Sequence, residues 1–269
     1  MLRLVISPAT KMVAEDSLPS VTTPRFASDA QALTSLLRSL PAEKLQRLWR
    51  TSDALTARCL ATLEAWEPAG PASPPALLAY QGIQYTRMAP AVMTQRQLDY
   101  LQDHLRILSG LYGLLRPFDG VCPYRLEMGA KFSEPLCVVG QGAPVCNLYK
   151  YWGDRLAWAL VQEGTDVLVN VASEEYAKAA CSGSGTSELL ADAGVQVVTC
   201  LFGTEKGGRW LQRATAAKEA RGTFVRWCAE HEVCEVGELS GFEEAGYRLD
   251  EERSQAGSHR LVFSRLPQE

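Results

Sequence analysis

Residues 166–172 read Asp-Val-Leu-Val-Asn-Val-Ala and are followed by Ser173. A short, nearly continuous apolar run bounded by a turn-forming residue is the pattern of a buried strand. Ser173 is suited to cap a helix, with Glu174 and Glu175 favourable in its first turn. Working outward, Leu2–Ile6 reads as another buried strand and Val195–Phe202 as a third. Helical spacing predicts helices over Ser28–Leu40, stopped by Pro41, and over Ser52–Trp66, where Leu55, Cys59, Leu60, Leu63 and Trp66 recur. It also predicts helices over Gln95–Leu108 (Leu98, Leu101, Leu105 and Leu108 on one face), Leu148–Val161 and Thr215–Glu230. Arg248–Glu251 and Arg260–Ser264 pair as a hairpin across residues 254–258. The proline-rich stretch 68–75 is a loop of ordinary size rather than a linker. Strands and helices mix without a strict βαβ rhythm. The expected fold is α/β, of the mixed α+β kind, as one domain over residues 1–269.

Bulk properties narrow the function classes. A chain of 269 residues buries enough surface to need no staples. Its formal charge of −4 argues against a basic surface covering the whole molecule, though not against a local basic cleft. The chain holds no apolar run of membrane-spanning length, so no membrane partner is expected. The apolar part of its N-terminus is too short for a signal peptide. The eight cysteines form no CxxC pair and read as reduced thiols of a cytoplasmic protein. The three histidines lie far apart in no ligand spacing, so no metal and no cofactor is expected.

The densest punctuation lies between Leu108 and Gly129, LSGLYGLLRPFDGVCPYRLEMG. Its glycines, prolines and hydrogen-bonding groups suit a binding surface or a tight packing corner. The helix Gln95–Leu108 followed by the glycine-rich turn 109–113 resembles a helix-hairpin-helix element, in which backbone N–H groups meet a phosphate. Tyr112 and Arg116 are candidates there; Arg116 suits bidentate phosphate contact, and equally an ion pair with Asp119. In Tyr124-Arg125-Leu126-Glu127, an extended backbone puts Arg125 and Glu127 on one face, either as a structural pair or as a guanidinium and an acid–base carboxylate in a cleft.

Three other segments carry candidate chemistry. The loop after the first strand, Ser7 to Lys11, stands where α/β folds take ligands, and Lys11 suits an anion. After Ala172, Ser173, Glu175, Tyr176 and Lys178 form either a helix cap or a reactive cluster. Lys218 and Arg221 share a helix face and, with Arg226, make a basic stripe or a solvated charged surface.

These segments together resemble the YaaA family of bacterial peroxide-stress proteins. The resemblance rests on LSGLYGLLRP and PYRLEMG, and on Ile6-Ser7-Pro8-Ala9, Leu148-Tyr149 and Trp152-Gly153-Asp154. Asn170, Ala172-Ser173, Glu175-Tyr176, Lys178, Lys218, Ala220-Arg221-Gly222, Gly241-Phe242 and Gly246-Tyr247 follow in the same order. It implies a largely internal sheet wrapped by helices, a helix-hairpin-helix element, DNA binding, and a role in limiting free iron and oxidative DNA damage. The chain departs from the family pattern at Thr10 before Lys11, at Ile83 in place of an acidic residue, and at Glu219 in place of a second lysine.

Two readings stay open. In one, Lys11, Tyr112, Arg116, Tyr124, Arg125, Ser173, Tyr176, Lys218 and Arg221 bind DNA or nucleotide phosphates. In the other, the chain is an enzyme on a nucleotide-like molecule, with Glu127, Glu175 and Lys178 in catalytic roles such as N-glycosidic bond cleavage. The expected partner in either case is DNA or a phosphate-bearing, nucleotide-like ligand.

Overall fold

Leu2–Ile6 is buried along its whole length, Arg3 included, and becomes the middle of a sheet. The computed structural model describes residues 1–13, 20–70, 73–137, 144–254 and 259–265. In chain order its first strands are β1 (Leu2–Ile6), β2 (Lys11–Met12), β3 (Tyr80–Gln81), β4 (Leu105–Ser109), β5 (Gly113–Leu115) and β6 (Lys131–Leu136). Then come β7 (Val145–Asn147), β8 (Val167–Asn170), β9 (Gln196–Lys206), β10 (Arg209–Leu211), β11 (Tyr247–Leu249) and β12 (Arg260–Arg265).

The main sheet runs β11-β12-β9-β8-β1-β4-β5, with β10 paired to β9. Its five inner strands, β12, β9, β8, β1 and β4, are mutually parallel, and β5, β10 and β11 pair antiparallel at the margins. The fold is thus mixed α/β with a mostly parallel central sheet. The hairpin expected from residues 248–264 is β11 on β12, and its connecting residues 255–258 lie outside the described residues.

Two expected helices divide differently. The helix predicted over Gln95–Leu108 stops at His104, where Leu105 turns extended (φ −94°, ψ 139°). Leu105–Ser109 is then buried at every position as a strand beside β1. The leucines at 98, 101, 105 and 108 fit a helical face, but pairing with β1 outweighs that local preference. Residues 95–115 therefore form helix, strand, tight turn and strand, and these residues make no helix-hairpin-helix. Residues 109–113 are buried throughout, so their N–H groups do not face an external phosphate. The second division falls at Gly153, whose φ of +49° ends Leu148–Trp152 before a new helix, Arg155–Gln162, begins.

Among the described residues, no helix is long and apolar enough to cross a membrane. The strand order matters for the site. From β1 the chain moves to β4 on one side, then returns to β8 on the other and continues outward to β9 and β12. The order reverses between β1 and β8, and in open parallel sheets the crevice beyond the carboxyl ends of such strands is where ligands bind.

Candidate functional site

The loops leaving β1 and β8 are tied together. Val5 pairs with Asn170 in register, so both strands end side by side. The Ser173 backbone N–H donates to Ser7 Oγ at 2.8 Å, and the two serine hydroxyls lie 3.2 Å apart. Ser173 occupies the N-cap position of the helix Glu174–Ala177 without a side-chain cap bond, so its hydroxyl faces Ser7 instead. The Ser7 carbonyl accepts from Gln84 Nε2 at 2.7 Å and from the Tyr85 hydroxyl at 3.1 Å. At the end of β4, Ser109 Oγ accepts from the Tyr112 N–H at 2.8 Å and lies 2.7 Å from the Tyr124 hydroxyl. Tyr124 is in turn 2.9 Å from the Tyr80 hydroxyl.

Glycines set how closely the walls approach. A Cβ at Gly222 would stand 1.9 Å from the Gln84 carbonyl oxygen, so the helices Ala214–His231 and Ile83–Met88 touch backbone to backbone. That crossing brings Lys218 and Arg221 to the end of β1. A Cβ at Gly110 would stand 2.2 Å from the Leu126 carbonyl oxygen, which lays residues 124–127 across the β4–β5 turn. Gly129 donates its N–H to Glu175 Oε1 at 2.7 Å, joining that segment to the helix after β8.

The result is a cleft of about 570 Å³. Of the residues singled out in the sequence, Lys11, Tyr124, Arg125, Glu127, Ser173, Glu175, Tyr176, Lys218 and Arg221 line it. Three others do not. Tyr112 is core, 1% exposed, with its hydroxyl accepting from Trp66 Nε1 at 3.2 Å and the Cys122 N–H at 3.1 Å. Arg116 is held by Asp119 at 3.2 Å, the ion pair that competed with its phosphate role. Lys178 stands where the chain turns from α- to π-helix, its ammonium 5.1 Å from the Tyr149 ring centroid. Arg226 is paired with Glu230 at 2.7 Å, which leaves the expected basic stripe as Lys218 and Arg221 alone. Sequence reasoning missed Gln81 and Gln84 as lining residues. A buried glutamine bonded to a distant carbonyl leaves no periodic or compositional signal.

The electrostatics are lopsided. Four cationic side chains (Lys11, Arg125, Lys218, Arg221) face two carboxylates, Glu127 and Glu175, on a chain of net charge −4. Arg125 and Glu127 pair at 3.3 Å, and Glu175 is engaged by Gly129. Among the described residues, the Arg221 side chain has no hydrogen bond or ion pair, and its Nε and that of Arg125 are buried without a partner. Burial holds the Arg221 guanidinium below its ordinary pKa. Burial pushes the Tyr124 phenol up to about 12, against hydrogen bonds from Ser109 and Tyr80 that pull it down. Tyr176 is pushed well up by burial first, then by Tyr124 and Glu175. Both phenols therefore stay protonated at neutral pH. Among the described residues, no group of three His, Cys, Asp or Glu is placed to hold a metal ion.

Sequence comparison places this geometry in a family. The family model described as peroxide stress protein YaaA matches residues 2–253. The chain belongs to the YaaA family. Its relatives include a UPF0246 protein of Lactiplantibacillus plantarum, 39% identical over 97% of this chain and 98% of that protein. Another is a UPF0246 protein of Lachnoclostridium phytofermentans, 38% identical over 97% and 96%. A third, from Limosilactobacillus fermentum, is 43% identical over 92% and 94%. Within this YaaA-family chain, the segments that carried the resemblance from Ser7, Tyr124–Glu127, Ser173–Tyr176 and Lys218–Arg221 are the ones that meet at the cleft.

Proposed function

We propose that the cleft holds the phosphate of a nucleotide-like ligand. The observation that carries this reading is Arg221, a mostly buried guanidinium without a protein partner among the described residues, beside a second arginine, Arg125, whose Nε is also orphaned. A buried donor left unsatisfied costs ~1–3 kcal/mol. An anion in the cleft offsets that cost, and arginine forks match phosphate oxygens bidentately. The place at the reversal of strand order and a volume within the range of small-molecule sites (roughly 300–1,000 Å³) support the same reading. Polymeric DNA is less well served, because residues 95–115 provide no phosphate-facing hairpin; DNA would enter through a terminal or extruded nucleotide. The ligand belongs to peroxide-stress physiology in this reading, and the eight unpaired cysteines suit the reducing cytoplasm.

Calorimetric titration of the wild type and of Arg221→Gln with pyrophosphate, adenosine monophosphate and a short DNA duplex tests it. Micromolar binding of the small probes, weakened about tenfold or more in the variant, supports the reading. Tight duplex binding with a steep salt dependence, unaffected by the variant, would overturn it.

A second reading is favoured by Glu127, which is exposed in the cleft 3.3 Å from Arg125 and close enough to Tyr176 to help hold its phenol neutral. In that reading Glu127 stabilises the cationic sugar as the glycosidic bond of a bound nucleotide breaks, or takes a proton from the water that adds to the sugar carbon while the base leaves protonated. Free base released by the wild type and not by Glu127→Gln supports it; no release from any nucleotide offered removes it.

A further inference from the structure

A second groove of about 740 Å³ adjoins the cleft across the short β2–β3 ribbon. Lys11, Gln81, Gly82 and Ile83 line both cavities, so nothing thicker than this ridge separates them. At its crest Gly82 has no side chain and Ile83 is 41% exposed, an apolar residue between two openings. The two walls also communicate through the bonded phenols of Tyr124, in the cleft, and Tyr80, in the groove. The chemistry of the groove differs from that of the cleft. Its floor is Leu77, Leu78, Tyr80 and Pro90, and among the described residues its one charged lining residue is Lys11, at the shared rim. Such a groove has little to hold an independent charged molecule, but it suits an uncharged group delivered by a ligand anchored next door.

We infer that the ligand has two parts, and that this groove is its second subsite. The phosphate sits against Arg125 and Arg221, and an uncharged, largely apolar group esterified to it crosses at Gly82 into the groove. This rests on the phosphate reading of the cleft. Two sources share that chemistry, a second nucleoside with its flat base and a short alkyl or acyl arm.

The test is calorimetric titration of the full chain with adenosine monophosphate, the dinucleotide ApA and the hexyl ester of adenosine monophosphate. Thr86→Trp and Ala91→Trp serve as groove-filling variants; both positions are exposed and line the groove, so a bulky ring there leaves the core alone. One of the longer probes is expected to bind about tenfold more tightly than adenosine monophosphate, and both variants to erase that gain. A gain confined to ApA identifies a base in the groove, and one confined to the hexyl ester an aliphatic arm. Adenosine monophosphate binding with no gain from either extension, or a gain that survives both variants, would overturn the inference and leave the phosphate reading standing. No binding by adenosine monophosphate removes both.

Discussion

The backbone N–H of Ser173 donates to the side-chain oxygen of Ser7 at 2.8 Å, joining the ends of two adjacent strands across 166 residues of sequence. Ser7 is 8% exposed, so its oxygen has little water to turn to. Replacing Ser7 by alanine leaves the Ser173 N–H without that partner. The expected cost is about 1–3 kcal/mol of stability, with a native fold, since the parallel pairing of β1 and β8 is untouched. Ligand affinity should fall further than stability alone explains, because the two loops that floor the cleft lose their register. Urea unfolding followed by titration with pyrophosphate separates the two effects; a variant with wild-type affinity would show that the loops are positioned by other contacts.

The Gly222–Gln84 approach sets up a competition of magnitudes. Helix propensity alone favours alanine over glycine by about 1 kcal/mol. A Cβ at Gly222 would, however, meet the backbone oxygen of Gln84 at 1.9 Å, and backbone cannot rotate away as a flexible side chain can. The clash should win. Gly222→Ala is expected to lose about 1–3 kcal/mol and to move Lys218 and Arg221 away from the cleft. Gly237→Ala, where a Cβ meets nothing within 4 Å, is the control and should be close to neutral. Thermal unfolding of both checks this; equal melting temperatures would mean that the two helices separate without strain.

The same contrast explains what was legible in the sequence. The strands at 2–6 and 166–172 declare themselves because burial makes them mostly apolar, and Arg248–Ser264 reads as a hairpin because its pairing is local. The strand Leu105–Ser109 is hidden, since its leucines continue the spacing of the preceding helix and its partner, β1, is a hundred residues away. In the cleft, charged and aromatic residues at loop positions, such as Arg125, Glu175 and Lys218, are conspicuous one by one. Their convergence is not. It depends on strand order and on Gly222 and Gly110, whose meaning appears only when the opposing carbonyls of Gln84 and Leu126 are known. Tyr112 and Lys178 carry the same residue types as true lining residues, and only packing tells them apart.

At the amino-terminal end of the sheet, away from the cleft, Glu163 lies 2.7 Å from Arg106 Nε and 3.4 Å from Arg3 Nε. Both arginine side chains are almost wholly buried, 5% and 6% exposed. Arg3 also donates to the Glu163 carbonyl at 2.8 Å and to Thr165 Oγ1 at 3.0 Å. Removing the carboxylate that touches both leaves two buried guanidinium groups that repel each other, with only the weaker fields of Asp103 and Asp166 to oppose this at Arg3. Glu163→Gln keeps the size and a weaker acceptor, and is still expected to cost about 3–5 kcal/mol. A shift of the urea midpoint with an unchanged slope checks it, and a loss well under 1 kcal/mol would show that water reaches the pair.

His104 gives the chain a titration at mildly acidic pH. It closes the helix Gln95–His104, stacks on Tyr100 with ring centroids 4.3 Å apart, and bonds through Nδ1 to the Leu2 carbonyl oxygen at 2.7 Å. Nδ1 must carry the proton in that bond, which leaves Nε2 as the site to be protonated. Burial holds the imidazole below its ordinary pKa of 6.5, outweighing the bond to Leu2, which pulls upward; Asp103 also raises it, while Arg3 and Arg106 lower it. The unfolded chain therefore takes up the proton first as the solution is acidified. The stability that neutral His104 contributes is complete above about pH 6.5 and is lost as the pH falls through the lower, folded-state value. His104→Gln retains a donor for Leu2 without the titration. Denaturant midpoints measured between pH 7.5 and 5 should decline in the wild type and decline less in the variant. Parallel slopes for the two proteins would assign the acid sensitivity to other groups.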